Sequence, residues 1–180
     1  MVEPATSDEL ASIDSLVSSG RLSVDQASHD ATGWSVEVPR DASAEVAGVV
    51  DLMQDAIGFT CEHSSTLRYR RYVAGEAHPV HPDHFTINGE WLVATAMLCL
   101  TVGTGGDTVF PFAQPPIAIR MSRARLVVWF NHVSTGQPDP LSAHFATPVQ
   151  GGVKTTLTLF AYADPLECAP LRDGLAAVTA

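Results

Sequence analysis

Positively charged residues are scarce in this chain of 180 residues. Ten Lys and Arg stand against 20 Asp and Glu, which gives a formal net charge of −10. The single lysine is Lys154. Because proteins that bind nucleic acids need clustered basic side chains to neutralise phosphates, this charge balance argues against a nucleic-acid partner.

Long apolar runs and a disulfide framework are also missing. The longest apolar run, residues 91–100, is far shorter than the roughly 20 residues that a membrane-spanning helix needs. The acidic N-terminal residues do not look like a signal peptide. The three cysteines, Cys61, Cys99 and Cys168, are widely spaced and are typical of reduced thiols. We therefore expect a soluble, cytoplasmic protein with no membrane partner.

What the chain does contain is typical of a folded protein with helices at its N-terminal end. Apolar residues make up 46% of the sequence and charged residues 17%, which argues against disorder. Thr6 and Glu9 form a plausible capping box for a first helix that Gly20 would end. Residues 41–57 repeat apolar side chains with the period of an amphipathic helix, and residues 34–38 alternate as a half-buried strand does. Residues 21–33 show no clear pattern.

Beyond residue 59 the apolar pattern changes to a period of two. We predict strands at residues 67–73, 79–85, 92–101, 117–121, 125–130 and 155–162. Helices followed by many strands favour a mostly β protein, a double-stranded β-helix of the jelly-roll, cupin-like kind, which can hold a ligand between its two sheets. We predict one domain over residues 1–180, with helical support at about 6–58 and a barrel core at about 64–163.

His81 and Asp83 suggest a metal site. On a strand, side chains two residues apart project from the same face, so both can point at one ion. A third ligand, His144, would arrive from a distant strand. Two imidazoles and one carboxylate on one side of a metal form the facial triad of non-haem Fe(II) oxygenases, which leaves the opposite positions open. The neighbouring His78 and His84 are predicted not to be ligands.

Further residues stand at informative distances from this set. Lys154 follows His144 by ten residues, Tyr72 precedes His81 by nine, and Thr108 lies in the segment GGDTVFP. From about residue 67 to 162, this order of motifs resembles the 2-oxoglutarate and Fe(II)-dependent dioxygenases, in their prolyl 4-hydroxylase-like branch.

The resemblance implies a role for each of these residues. His81, Asp83 and His144 would bind Fe(II). Lys154 would pair with the distal carboxylate of 2-oxoglutarate, with Tyr72 and Thr108 adding hydroxyl donors. The implied co-substrates are 2-oxoglutarate and O2, with ascorbate as an optional cofactor. The implied reaction hydroxylates an unactivated C–H bond and releases succinate and CO2.

The identity of the substrate is less clearly indicated. Relatives usually carry an Arg where this chain has Leu92, and a longer loop where it has only residues 84–90. Both differences favour a small, amino-acid-like substrate, whose carboxylate one of six arginines would hold: Arg68, Arg70, Arg71, Arg120, Arg123 or Arg125.

Three alternatives remain open at this stage. The first is a peptidyl-prolyl 4-hydroxylase-like enzyme. The second is a non-catalytic jelly-roll protein that binds a metal or a small acid. The third is a zinc hydrolase, although no obvious general base accompanies the metal ligands. The oligomeric state is not indicated.

Overall fold

Two helices lie at the N-terminal end of the molecule. The computed structural model describes residues 7–18, 25–30, 32–58 and 66–164. Helix α1 covers Ser7–Ser18 and helix α2 covers Ala44–Ile57. The Ser43 side chain accepts a hydrogen bond from the Val46 amide, and Gly58 ends α2 with a φ of 92°, so α2 is capped at both ends as its sequence predicts. The predicted caps of α1, Thr6 and Gly20, lie outside the described residues. No helix in the described ranges is long and apolar enough to cross a membrane.

Thirteen strands make up most of the rest of the described chain. They are β1 Asp25–Asp30, β2 Gly33–Pro39, β3 Thr66–Val73, β4 His78–His81, β5 Thr86–Ile87, β6 Glu90–Thr101, β7 Thr104–Gly105, β8 Thr108–Phe110, β9 Ile117–Ile119, β10 Leu126–Phe130, β11 His144–Ala146, β12 Val149–Gly151 and β13 Val153–Ala163.

The strands form a large sheet and a smaller one. The large sheet has seven strands in the order β1-β2-β3-β13-β6-β10, with β5 pairing to β6. The smaller sheet has the order β4-β11-β8-β9, and β12 pairs with β7 as a separate ribbon. All pairs are antiparallel. This is the arrangement expected of a jelly-roll.

The hydrophobic core lies between the helices and one face of the large sheet. Helix α2 buries the apolar face that its periodicity predicts, namely Val46, Val49, Val50, Met53 and Ile57. They share one cluster with alternate residues of the two longest strands, including Ala96 and Leu98 of β6 and Leu157 and Leu159 of β13. Because side chains alternate along a strand, the opposite face of the same strands is left for other residues, among them Thr95 and Lys154.

One predicted strand is wrong in its extent, and this matters for the site. The predicted strand 79–85 ends at His81, so Asp83 follows the strand rather than lying on it. Residues 86–101 then form a hairpin whose two-residue turn is Asn88 and Gly89, with φ values of 52° and 87°. Asn-Gly is a preferred sequence for such a turn because both positions need a positive φ. The hairpin explains why the segment between Asp83 and β6 is short.

The strands shorter than four residues were also missed, together with β1, except that β9 lies within the predicted strand 117–121. Two or three residues are too few to show an alternating pattern, and β8, β11 and β12 are held by their pairing partners. Strand β1 is polar, DQASHD, and it forms by pairing with β2. Its existence therefore depends on tertiary context more than on local propensity.

Candidate metal site

The three predicted metal ligands lie together in the structure. One ligand atom from each of His81, Asp83 and His144 lies within 4.8 Å of the others. His81 and His144 are direct partners across the antiparallel pair β4–β11, and their ring centroids are 4.5 Å apart. His81 Nε2 lies 3.6 Å from Asp83 Oδ1. The pairing of β4 with β11 brings the two histidines together, whereas Asp83, which follows β4, is not placed by the strand alternation that the sequence suggested.

Both imidazoles are oriented by backbone carbonyl groups. His81 Nδ1 lies 2.8 Å from the Pro79 carbonyl oxygen, and His144 Nδ1 lies 3.0 Å from that of Ser142. A carbonyl oxygen only accepts hydrogen bonds, so Nδ1 carries a proton in each ring, and in the neutral form of the ring the lone pair is on Nε2. Burial lowers the pKa of His144, while the charge of Asp83 and the hydrogen bond to Ser142 oppose this shift. A neutral imidazole is the form that binds a metal.

Asp83 is held by a buried chain of hydrogen bonds. The Thr95 hydroxyl donates to Asp83 Oδ2 at 2.8 Å, and Asn131 Nδ2 donates to the Thr95 oxygen at 3.2 Å. All three side chains are buried. Because Thr95 takes Oδ2, the oxygen next to His81 is Oδ1, which favours a carboxylate that binds through one oxygen.

Aromatic rings enclose the buried histidine. Trp129 meets the His144 ring edge-on at a centroid distance of 4.7 Å, and Phe110 lies 5.4 Å from it. On the more exposed side, His78 stacks on His81 with centroids 4.1 Å apart. Packing against aromatic rings of this kind restricts the orientation of the two imidazoles.

Lys154 is buried next to Tyr72, as the resemblance implies. Its side chain is only 2% exposed, and its ammonium donates to the Gly106 carbonyl at 2.6 Å. Nζ lies 5.5 Å from the centroid of the Tyr72 ring, and the two residues are cross-strand partners in β13 and β3. Burial lowers the pKa of Lys154, and nearby Cys99 and Asp107 oppose that shift. An anionic ligand would stabilise the charged form of this lysine.

Thr108 occupies a compatible place on the smaller sheet. It is buried, and on β8 it lies on the same face as Phe110, which contacts His144. Among the described residues its hydroxyl has no hydrogen-bond partner, so it remains available as a donor. All six residues predicted for the site therefore lie in the barrel, three as a cluster that fits a metal and three buried on the flanking strands.

Sequence analysis missed the residues that support the ligands. Thr95, Asn131 and Trp129 lie on or next to β6 and β10, and their roles follow from the pairing of those strands. Nothing in the local sequence marks Asn131. The sequence does contain one signal that was not used, the Asn-Gly pair at residues 88 and 89, which is typical of a two-residue hairpin turn.

The donor set fits an Fe(II) ion with open positions. Two neutral imidazole nitrogens and one carboxylate oxygen from one side are the ligands of non-haem Fe(II) oxygenases. The orientation of both rings and of the carboxylate by outer hydrogen bonds is the usual support for such a centre.

Comparison with known proteins finds prolyl 4-hydroxylases as sequence relatives. No family model matches the chain. It is 27% identical over 154 residues to prolyl 4-hydroxylase 2 of Arabidopsis thaliana, an alignment that covers 72% of this chain and 52% of the plant protein. The chain spans about half the length of the curated relatives that it matches.

Solved structures with the same fold include prolyl hydroxylases. A viral collagen prolyl hydroxylase from Paramecium bursaria Chlorella virus-1, in complex with 2-oxoglutarate, superposes with a TM-score of 0.72 at 13% identity, over 88% of this chain and 91% of that one. A prolyl hydroxylase from Trichoplax adhaerens, in complex with a hypoxia inducible factor peptide fragment, gives a TM-score of 0.64 at 15% identity, over 92% and 80% of the two chains. At these identities the likeness establishes the fold.

Sequence and fold therefore agree with the resemblance drawn from the motifs. The jelly-roll prediction is confirmed by the fold of these neighbours. The chain is similar in sequence to prolyl 4-hydroxylases and has the double-stranded β-helix fold of the 2-oxoglutarate and Fe(II)-dependent dioxygenases.

Proposed function

We propose that this protein is a 2-oxoglutarate and Fe(II)-dependent hydroxylase that acts on a prolyl residue in a peptide. The observation that carries the proposal is the convergence of His81, Asp83 and His144 within 4.8 Å, in a barrel that also buries Lys154. Among the described residues, the Gly106 carbonyl is the one hydrogen-bond acceptor of the Lys154 ammonium, and a buried charge with so little compensation is costly unless an anion joins it. The combination fits a metal and a dicarboxylate held together.

Different residues would bind the metal, bind the co-substrate and support the ligands. His81, Asp83 and His144 would hold Fe(II), and Lys154 would bind the distal carboxylate of 2-oxoglutarate, with Tyr72 and Thr108 as further donors. When bound, this metal and co-substrate supply the oxidative decarboxylation that activates O2 for hydroxylation and yields succinate and CO2. Trp129 and Phe110 keep water from His144, and Thr95 holds Asp83 so that Oδ1 faces the ligand position.

The comparisons favour a peptide over the small substrate that the sequence suggested. The plant relative is named a prolyl 4-hydroxylase, and the Trichoplax neighbour was solved with a peptide fragment. The small, amino-acid-like substrate remains the second candidate. The short segment of residues 84–90 and the uncharged Leu92, which is fully buried, favour it.

The direct test is O2-dependent release of succinate. The protein is loaded anaerobically with Fe(II) and 2-oxoglutarate, then exposed to O2 with proline-containing peptides or free L-proline. We expect succinate in equal amount to hydroxyproline, with more product from peptides. A His144→Ala control should release none. If no peptide or amino acid stimulates succinate above the substrate-free rate, a non-catalytic binding protein becomes the better account.

A further inference from the structure

A cavity lies at the end of strand β13 that is far from Lys154. It has a volume of about 460 Å³ and is lined by Glu37, Arg68, Phe85, Ile87, Phe160 and Tyr162. On strand β13, Lys154 lies near one end and Tyr162 near the other. Phe160 is the cross-strand partner of Thr95, which binds Asp83. A ligand in this cavity would therefore approach the metal site from the side opposite the Lys154 anchor.

The cavity combines an apolar rim with an ion pair inside. Phe85 and Ile87, on the hairpin that follows Asp83, are 55% and 43% exposed. Arg68 and Glu37 are cross-strand partners in β3 and β2, and their side chains form a short hydrogen-bonded ion pair. The guanidinium also lies over the Phe160 ring, 6.0 Å from its centroid. Exposed aromatic and aliphatic side chains at a cavity mouth are typical of a binding site.

Arg68 and Tyr162 each keep a hydrogen-bond donor that has no acceptor among the described residues. Arg68 has no acceptor other than Glu37 within the described residues, and its Nε is buried without a partner. Tyr162 makes no hydrogen bond to any residue that the structure describes. Burial raises the pKa of Tyr162, Arg68 opposes the shift, and Asp83 and Glu37 add to it. The phenol therefore keeps its proton and can donate it to an acceptor oxygen.

The charges in and around the cavity determine whether a charged or a neutral acceptor group binds there. Glu37 already neutralises the guanidinium, and the chain carries a formal net charge of −10. A free carboxylate would have to compete with Glu37 and approach Asp83. A neutral amide carbonyl can accept hydrogen bonds from Arg68 and Tyr162 without electrostatic repulsion from Glu37 and Asp83.

We propose that the Arg68–Glu37 pair, together with Tyr162, selects a neutral peptide carbonyl next to the target ring and disfavours the free carboxylate of an amino acid. The inference rests on the proposed function and deepens it. It also separates Arg68 from the other five candidate arginines. Arg70 bonds to Thr32 and lies near His78, and the other four side chains are exposed and outside this cavity.

Two probes that differ only in charge test this selection. N-acetyl-L-prolinamide and N-acetyl-L-proline are titrated into the protein loaded with Zn(II) and 2-oxoglutarate, and binding is measured by ligand-observed NMR. Wild type should prefer the amide. Glu37→Gln frees the charge of Arg68, so we expect the amide-to-acid affinity ratio to fall by about tenfold, the effect of one modest electrostatic interaction.

A matched variant controls for the change in net charge. Asp51 pairs with Arg40 on the surface, where both side chains are about half exposed. Asp51→Asn removes the same charge outside the cavity and should leave the ratio unchanged. If Glu37→Gln does not fold, Tyr162→Phe serves instead, and it should weaken the amide by about tenfold, the value of one hydrogen bond.

The possible results separate this inference from the proposed function. An unchanged ratio in Glu37→Gln, an equal shift in Asp51→Asn, or no binding of either probe to wild type overturns the selection by Arg68 and Glu37. Succinate release with peptides would still stand in that case. Conversely, the expected ratios without succinate release from any substrate would overturn the hydroxylase assignment and leave the binding site in place.

Discussion

Replacing Lys154 by methionine should separate co-substrate binding from folding. Methionine keeps much of the volume of the lysine side chain and removes its charge. The ammonium is buried, and in the structure its hydrogen-bond acceptor is the Gly106 carbonyl. Because burial of a charge disfavours the folded state, its removal should leave the free energy of unfolding unchanged or raise it.

The same substitution should greatly lower the affinity for 2-oxoglutarate, although it does not lower stability. Breaking a buried charge pair by removing one partner costs about 3–5 kcal/mol. The Gly106 carbonyl already accepts one hydrogen bond from the ammonium. We therefore expect the loss at the lower end of this range, about 3 kcal/mol, which is roughly 150-fold in 2-oxoglutarate affinity. Tyr72→Phe, which keeps the ring beneath Lys154, should lose about tenfold.

The assay is calorimetric titration of 2-oxoglutarate into Mn(II)-loaded protein without O2, with thermal unfolding of each variant alongside. A Lys154→Met protein that folds and binds 2-oxoglutarate as tightly as wild type would refute the reasoning. The anchor for the distal carboxylate would then have to be sought elsewhere, for example near Arg120 and Arg123, which line the cavity next to Asp107.

Three other predictions concern the surroundings of the site. Thr95→Val removes the hydrogen bond to Asp83 and should weaken Mn(II) binding by about 10–100-fold in calorimetry; an unchanged affinity would show that Asp83 needs no such support. Gly106→Ala, at φ +72° and with its new Cβ 3.0 Å from Lys154 Cδ, should lower both thermal stability and 2-oxoglutarate affinity. Because burial lowers the pKa of Lys154 below 10.5, the unfolded chain holds this proton to higher pH. As pH rises towards 10.5, the contribution of Lys154 to the unfolding free energy should therefore rise. The 2-oxoglutarate affinity should fall over the same range, and Lys154→Met should show neither trend.

Much of the fold could be predicted because local patterns and tertiary structure agree. Helix α2 shows its buried face in the sequence, and the long strands β3, β6, β10 and β13 lie within one or two residues of their predicted starts. Apart from β9, the strands of two or three residues could not be found in this way, because so few residues carry no periodicity. Their positions depend on the partner strand beside them.

For the site too, residues could be selected from the sequence, but contacts between strands could not. Residue type and spacing, helped by the family resemblance, were enough to select His81, Asp83 and His144, which lie together in the structure, and Lys154, which is buried. The buried chain from Asn131 through Thr95 to Asp83 joins residues from different strands, so it exists only in the folded molecule. The Arg68–Glu37 pair is similar, because it depends on the register between β2 and β3. The assignment of residues 1–180 to one domain and the cytoplasmic location stay predictions.

Metal binding by the three ligands tests the central claim most directly. Calorimetric titration of Mn(II) or anaerobic Fe(II) into wild type should give one equivalent. His81→Ala, Asp83→Ala and His144→Ala should each abolish tight binding while circular dichroism shows the fold retained. His84→Ala, a matched change of a histidine outside the cluster, should bind as wild type does. Full metal affinity in His144→Ala, or its loss in His84→Ala, would contradict the assignment of the site.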